Sequence, residues 1–325
     1  MKTTRRKSPA GGCGGSTSKV KKPRPSYREI NEKYVRQGTL YICPEELIDK
    51  GDDKDELEEM NKGKRGRRYI YTTTYIFFCG LLKTLLSLPD RQVEGILKGL
   101  SRLIPGLMVP DYTTLNRRLR KMKDFLKSKF KDICSSKDGE FEVVVDSTGF
   151  KVTNRGDWLR KKHGKVRRGW IKVHILVDPE TKEVLVVEVT DEKTSDAEGF
   201  EPLLDELCEN LNGADIKRVI GDGGYDAKRV FNLLEKGGIE SGIKPRKNSS
   251  TQARGSPYRA KCVREFKDLG YEKWKNKVGY TKRWLVESVF SSIKRRFGES
   301  VRAVSRKGME IELFLRFICY NMLLN

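Results

Sequence analysis

The sequence predicts an α/β domain preceded by a smaller all-helical region. Apolar residues follow a helical period from Thr72 to about Lys131, β-branched runs begin at Phe141, and helices alternate with strands after Asp196. The first residues are rich in Lys, Gly, Ser and Pro, which is typical of a disordered basic arm. We therefore divide the chain into an arm (1–27), a helical region (28–135) and an α/β domain (136–325).

The charge of the chain favours a polyanionic partner. With 67 Lys and Arg against 45 Asp and Glu, its 325 residues carry a formal net charge of +22. Such a surplus favours nucleic acid, because each neutralised phosphate releases a counterion, although a basic proteome or a membrane-surface protein would also explain it. The 7 cysteines never form Cys-x-x-Cys, which indicates neither a zinc site nor a disulfide framework and fits a reducing cytoplasm. No apolar run is typical of a membrane span.

The helical region has the layout of a helix-turn-helix. A helix is followed by a turn marked by Pro105, Gly106 and Pro110, and Asp111 is placed to cap a second helix. Helix-turn-helix proteins contact DNA with polar and basic residues of the second helix. The candidates here are Asn116, Arg117, Arg118 and Arg120. An ordinary helical hairpin with a solvated basic face is the alternative.

The α/β domain begins with three strands and continues with alternating helices and strands. The strands are "FEVVVDSTGF", "WIKVHILVD" and "VLVVEVT", and the turn "DPETKE" joins the last two as a hairpin. A helix from about Asp196, the strand "IKRVIGD", the helix "AKRVFNLLEKGG" and the strand "ESGIKP" follow, and a polar, basic stretch then extends to about Lys277. Three antiparallel strands followed by α/β alternation is the order of a ribonuclease-H-like fold, a mixed sheet with flanking helices.

Two aspartates are predicted at strand ends, where rigid backbone holds carboxylates beside a cleft. Asp146 closes "VVV" and Asp222 closes "KRVI". Two or three such groups suit a pair of Mg²⁺ ions that promote in-line displacement at phosphorus. Asp226 is better explained as the N-cap of the next helix and Asp178 as a turn residue, while Asp196 is expected to cap its helix or to lie near the cleft. His163 and His174 are too few for a histidine-based site.

The segment 279–298, "GYTKRWLVESVFSSIKRRFG", is predicted to be one amphipathic helix. Its apolar side carries Leu285, Val286, Val289, Phe290 and Ile293. Its polar side carries Tyr280, Arg283, Glu287 and Lys294. A solvated surface is the simplest explanation of that polar side, and a carboxylate held between cations is the alternative.

The spacing of those four polar residues resembles the Tyr-Arg-Glu-Lys signature of prokaryotic insertion-sequence DDE transposases. Asp146 and Asp222 precede Glu287 in the order Asp, Asp, Glu that this family requires, and the resemblance covers about residues 136–325. It implies a ribonuclease-H-like domain that binds the inverted-repeat ends of its element and catalyses metal-dependent DNA cleavage and strand transfer. A non-catalytic repressor derived from a transposase is the alternative, and a repair nuclease would leave Arg283 and Lys294 unexplained.

The resemblance also implies roles for individual residues. The ligands of two Mg²⁺ ions, for which Mn²⁺ would substitute, are expected to be Asp146, Asp222 and Glu287. Arg283 and Lys294 would hold phosphates of the transposon end, and Tyr280 would contact the same strand. The expected partner is double-stranded DNA, both element ends and target, bound by a homodimer in the nucleoid-associated cytoplasm and without a membrane.

Overall fold

The computed structural model describes residues 26–39, 53–152 and 169–324. Most of the predicted basic arm, residues 1–25, and also His163 therefore lie outside the described residues. The helices that precede the sheet are α1 (Tyr27–Thr39), α2 (Lys54–Asn61), α3 (Thr73–Leu85), α4 (Asp90–Leu100), α5 (Tyr112–Leu119) and α6 (Lys123–Ser135). The helical period predicted from Thr72 is thus confirmed.

Side-chain caps fix where two of these helices begin. Thr72 accepts a hydrogen bond from the Tyr75 backbone N–H at the start of α3. Asp111 accepts from the backbone N–H groups of Thr113 and Thr114, so its predicted role as the cap of α5 is confirmed. Helix α3 is buried continuously from Tyr75 to Leu82, as expected for a helix whose sequence is apolar on every side.

Within the described ranges, six strands form one mixed sheet, and its topology confirms the predicted ribonuclease-H-like fold. The strands are β1 (Glu140–Val152), β2 (Trp170–Val177), β3 (Val184–Asp191), β4 (Asp215–Gly221), β5 (Glu240–Ile243) and β6 (Ser300–Val301). Their order is β3-β2-β1-β4-β5, and β6 pairs with the end of β1. The first three strands are antiparallel, while β4 and β5 run parallel to β1.

Successive side chains of the central strand β1 enter two different cores, because side chains alternate across a strand. Val143 and Val145 face α7 (Asp196–Asn210) and α8 (Lys228–Lys236), together with residues such as Phe200. Val144 faces the opposite core, which also contains the buried sides of α10 (Trp284–Phe297) and α11 (Arg306–Met322).

The core on the α10 and α11 side is continuous with the core of the helical region. Helices α3 and α6 both pack against α11, and α6 also packs against β3. Phe130 of α6 meets Phe314 of α11 with ring centroids 6.2 Å apart. The predicted boundary between the helical region and the α/β domain, at residues 135 and 136, therefore separates two parts of the chain that share one core.

The segment before the Tyr-Arg-Glu-Lys residues is helical, which the sequence did not predict. Helix α9 (Pro257–Val278) buries few side chains, among them Trp274, and Gly270 interrupts its helical backbone with a φ of 71°. A largely charged sequence and a mid-helix glycine together obscure the apolar period. Gly279, with a φ of 67°, ends α9 in the left-handed conformation that favours glycine.

The helix predicted to span residues 279–298 is shorter than expected. Residues Tyr280–Arg283 form a 3-10 turn, and α10 begins at Trp284. Its buried side carries Val286, Val289, Phe290, Ile293 and Phe297, close to the predicted apolar set.

Candidate active site

A gap along one edge of β1 forms the candidate site. The pairing of β1 with β4 ends at Val144, opposite Ile220, and its pairing with β6 begins at Lys151. Asp146 lies between these two points. The prediction that Asp146 ends a strand is wrong, because β1 continues to pair with β2 as far as Lys151. The strand that ends beside Asp146 is its parallel neighbour β4.

Asp222 follows directly on β4, so the predicted position at a strand end is confirmed for this residue. Its Oδ1 accepts the backbone N–H of Gly224 at 2.7 Å, which caps a short 3-10 turn (Gly223–Tyr225). Its negative charge contributes to raising the pKa of Asp146, as expected for a carboxylate on the far side of the gap.

Glu287 lies in the first turn of α10, and Arg283 joins it to Asp146. The Arg283 Nη1 donates to Glu287 Oε1 at 2.7 Å, and Nη2 lies 3.4 Å from Asp146 Oδ2. The Asp146 side chain is 13% exposed and that of Glu287 is 56% exposed, so the guanidinium links a nearly buried carboxylate to a solvated one. Among the described residues, none hydrogen-bonds to the buried Nε of Arg283.

The electrostatics of the gap favour protonation of Asp146 when no cation is bound. Burial is the main cause that raises its pKa to about 6, and the charges of Asp222 and Glu287 act in the same direction. The backbone N–H of Ser147, which donates to Asp146 Oδ1 at 2.8 Å, and the Arg283 guanidinium oppose this rise. The charges of two carboxylates, Asp222 and Glu287, thus act on the third, Asp146.

Lys294 adds a second positive charge, after that of Arg283, in the groove beside the gap. Its Nζ donates to Thr148 Oγ1 at 2.7 Å and lies over the Phe150 ring, 5.3 Å from the centroid. Burial lowers its pKa below the ordinary value for lysine. The open groove, about 670 Å³, is lined by Asp146, Ser147, Thr148, Glu287, Phe290, Ser291, Lys294, Arg295 and Glu299.

Tyr280 does not lie on an exposed polar face with Arg283, Glu287 and Lys294, so this part of the prediction is wrong. Its side chain is buried, and its ring packs against Trp274 with centroids 5.2 Å apart. The 3-10 turn changes the angle between successive residues, which removes Tyr280 from the projection of a continuous α-helix. Burial raises the pKa of Tyr280 to about 12, and the Asp222 and Asp146 charges add to this rise.

The carboxylate donors suit a hard divalent cation such as Mg²⁺ or Mn²⁺. In the described part of the chain, no three His, Cys, Asp or Glu side chains are close enough together to hold a metal as they stand. The guanidinium of Arg283 takes the position between Asp146 and Glu287. Burial is the main cause of the raised pKa of Asp146, and the charges of Asp222 and Glu287 add to it, so the donor set fits a cation in the position that Arg283 now takes.

Only part of the predicted DNA-contact set on α5 is exposed. Arg118 is buried, donates from Nη1 to the Tyr71 carbonyl at 2.9 Å and lies over the Tyr69 ring, so its predicted role in DNA contact is wrong. Asn116 donates from Nδ2 to Asp90 at 2.8 Å and thereby ties α5 to the start of α4. Arg117 and Arg120 are exposed.

Three other aspartates have roles that the structure defines. Asp178 accepts the backbone N–H of Glu180 at 2.7 Å, so the predicted turn role is confirmed. Asp226 does not cap α8, because Ala227 is the N-cap; instead its buried carboxylate accepts Arg259 Nε at 2.6 Å. Ser195, with Glu198, caps α7, and Asp196 lies beside Ser147 near the gap.

The ribonuclease-H-like sheet defines the class of protein, and comparison with known families identifies the group within it. A family model described as a transposase DDE domain matches residues 139–322, more than half of the chain. A second model with the same description matches residues 38–155. The chain therefore belongs to the transposase DDE domain family, and membership implies an enzyme of DNA phosphoryl transfer.

Similar proteins include an uncharacterized protein of Aquifex aeolicus (strain VF5), 27% identical over 271 residues that make up 80% of each chain. Among solved structures, a piggyBac transposase synaptic complex with hairpin DNA is 10% identical at a TM-score of 0.36 and covers 90% of this chain and 75% of that one. A Drosophila P element transposase strand transfer complex is 9% identical at a TM-score of 0.32, with coverage of 90% and 86%. Across the described ranges, no helix combines the length and apolar character needed to cross a bilayer.

Proposed function

We propose that the chain is the transposase of a prokaryotic insertion sequence, which binds the inverted-repeat ends of its element and catalyses metal-dependent cleavage and strand transfer. One observation carries the proposal. Asp146 and Glu287 share the Arg283 guanidinium beside the central strand, Asp222 follows the neighbouring strand β4, and the charges of Asp222 and Glu287 add to the effect of burial in raising the pKa of Asp146. A protein that only binds DNA gains nothing from three carboxylates turned toward phosphate.

The three carboxylates are proposed to hold two Mg²⁺ ions, or Mn²⁺ in their place. When bound, such ions activate the attacking hydroxyl and stabilise the leaving oxygen of an in-line displacement. Arg283 offsets the repulsion between the Asp146 and Glu287 carboxylates. With cations holding these carboxylates instead, the Arg283 guanidinium would be free to bind a DNA phosphate. Lys294, in the same groove, is proposed to hold a second phosphate of the transposon end.

Double-stranded DNA is the proposed partner, both as element end and as target. The helical region 28–135 is proposed to contact the ends through Arg117 and Arg120, which are exposed on and just after α5. The net charge of +22 supports a polyanionic partner such as DNA. We further propose that the chain acts in the nucleoid-associated cytoplasm and as a homodimer on DNA.

The direct test is to remove each carboxylate without changing its size. Asp146→Asn, Asp222→Asn and Glu287→Gln should each abolish Mg²⁺-dependent cleavage of a duplex that carries the element end, because each removes a metal ligand. Binding of that duplex should be at least as tight, since a negative charge near phosphate is lost. Cleavage and gel-shift affinity are measured side by side.

Glu299→Gln provides the matched control, because Glu299 lines the same groove but is exposed and pairs with Lys151. It should cleave at close to the unmodified rate. Unchanged cleavage in any of the three other variants would remove that residue from the metal site. Specific end binding by the unmodified chain without cleavage in Mg²⁺ or Mn²⁺ would favour the repressor alternative.

A further inference from the structure

A partly buried polar cluster lies behind the candidate active site, on the face of the sheet that α7 covers. Its centre is the Asp196 carboxylate. Oδ1 accepts the Ser147 hydroxyl at 2.6 Å and pairs with Lys172 Nζ at 2.7 Å. Lys172 also donates to the Thr194 carbonyl at 3.0 Å, so its position is fixed from two sides.

Helix capping does not explain Asp196. Ser195 caps α7 through a complete capping box with Glu198, so the backbone N–H at the helix start is satisfied without the neighbouring aspartate. The side-chain hydrogen bonds from Lys172 and Ser147 outweigh burial and lower the pKa of Asp196, which keeps it ionised. A charged group half-buried in this way needs a specific arrangement of partners.

Through Ser147, Asp196 is connected to the first carboxylate of the proposed metal site. The Ser147 backbone N–H donates to Asp146 Oδ1 at 2.8 Å, while the Ser147 hydroxyl is held by Asp196. Because consecutive side chains of a strand point to opposite faces, Asp196 contacts β1 from behind while Asp146 faces the gap. This contact therefore fixes the peptide that orients Asp146.

Asp196 also lies against the turn that carries the second carboxylate. A Cβ atom on Gly224 would lie 2.6 Å from Asp196 Oδ2 and 2.8 Å from Asp222 Oδ1, so only glycine fits between the two aspartates. The Gly224 N–H donates to Asp222. Tyr225, which ends this turn, is buried; burial raises its pKa, and the charges of Asp196, Asp146 and Asp222 act in the same direction.

The cluster is packed closely even where this leaves a polar atom unsatisfied. The His174 side chain is fully buried, and its Nδ1 lies 3.9 Å from Asp196 Oδ1. No group in the described ranges hydrogen-bonds to this nitrogen. Gly199 of α7 lies against the ring, since a Cβ there would be 2.7 Å from His174 Cε1. The helix is thus held as close to the sheet as the ring permits, which brings Asp196 into contact with Ser147.

We propose that Asp196 is a positioning residue of the active site, which holds the Ser147 peptide and the Gly224 turn so that Asp146 and Asp222 are set for one metal site. The proposal rests on the metal-binding role given above to Asp146, Asp222 and Glu287. Groups that orient metal ligands typically change metal affinity or activity by about 10- to 100-fold when removed. The Ser147 hydroxyl is the link on which this effect depends.

The test measures Mn²⁺ binding to the full chain without DNA, from the paramagnetic resonance signal of free Mn²⁺. Asp196→Ala should weaken Mn²⁺ binding by about 10- to 100-fold. Asp196→Asn should recover part of this loss, because an amide oxygen still accepts the Ser147 hydroxyl. Glu198→Gln, at a fully solvated position in the same helical turn, is the control and should bind Mn²⁺ normally. Single-turnover cleavage should fall with Mn²⁺ affinity, while affinity for the end duplex stays unchanged.

A purely structural role would instead lower the thermal unfolding midpoint and leave Mn²⁺ affinity unchanged. Should Asp196→Ala fail to fold, Ser147→Ala removes the same link with a smaller change and should also weaken Mn²⁺ binding. Normal Mn²⁺ affinity in Ser147→Ala or in folded Asp196→Ala overturns the positioning role. Asp146→Asn separates the two proposals, because normal Mn²⁺ binding in that variant would contradict the metal site itself.

Discussion

Replacing Arg283 with alanine should have opposite effects on metal binding and on DNA cleavage. The guanidinium lies 2.7 Å from Glu287 and 3.4 Å from Asp146, so it neutralises two carboxylates that we assign to the metal. A divalent cation that enters the site is repelled by this charge, whereas a DNA phosphate is attracted to it. Without Arg283, the free protein should bind Mn²⁺ more tightly and cleave the transposon end more slowly.

The expected gain in Mn²⁺ affinity can be calculated from the charges of the guanidinium and the metal ion. Two unit charges about 4 Å apart interact by about 1 kcal/mol in water and about 4 kcal/mol at an effective dielectric constant of 20. The Arg283 side chain is only 25% exposed, so the value in water is a lower limit. For a divalent ion this gives at least about 2 kcal/mol, or Mn²⁺ binding that is at least about 30-fold tighter.

The second effect concerns the contact with phosphate. Losing one preorganised charge contact should slow single-turnover cleavage by about 100-fold or more. The salt dependence of end binding should flatten by about one phosphate contact. Affinity measured across a salt series and the cleavage rate together test this, and circular dichroism verifies the fold.

Arg264→Ala is the matched control, because it removes the same charge from an exposed position on α9. Mn²⁺ affinity and cleavage should be unchanged in that variant. If Arg283→Ala matched this control in Mn²⁺ affinity, cleavage and salt slope, Arg283 would be an ordinary surface ion pair and the reasoning would be refuted.

Two further predictions concern protonation and stability. The pKa of Asp146 is raised to about 6 in the fold, so the contribution of this one group to metal-free stability should be fully present below about pH 4 and should be lost, by about 1–3 kcal/mol, as the pH rises through 6. Asp146→Asn should remove this component of the pH profile in denaturant titrations, and a profile identical to that of the unmodified chain would contradict the assigned pKa. Arg118→Ala should destabilise the protein by about 1–3 kcal/mol, because the hydrogen bond to the Tyr71 carbonyl is lost. Arg117→Ala should leave stability intact and weaken DNA binding, because Arg117 is exposed. Equal stability of the two variants would refute this difference between a buried and an exposed arginine.

The sheet could be predicted because its strands are short β-branched runs separated by clear turns. Strands β2 and β3 begin at the expected residues, Trp170 and Val184. Helix α9 could not be predicted, because most of its surface is charged and Gly270 interrupts its period. The start of α10 was misplaced for a related reason, since a 3-10 turn and an α-helix are difficult to distinguish over four residues.

The candidate site was predictable where short sequence spacing determines position, as for Arg283, at the N-cap of α10, and Glu287, which form an i,i+4 pair. Contacts between segments that are far apart in the sequence could not be predicted. Nothing local distinguishes the buried Arg118 from the exposed Arg117, because the Tyr71 carbonyl that it meets is 47 positions away. The contact of Asp196 with Ser147 spans 49 positions and depends on packing of α7 against the sheet.

The core shared by the helical region and the sheet has a consequence for the DNA that the protein would accept. Helix α11 packs against α3 and α6 and also against α10, which carries Glu287. Because α5 in turn packs against α3, these contacts in the described part of the chain hold Arg120, just beyond α5, and Glu287 at a set separation. The proposed contact of α5 with the element end therefore predicts a constant number of base pairs between the contacted sequence and the cleaved bond. Inserting half a helical turn of DNA between them should abolish cleavage while preserving binding.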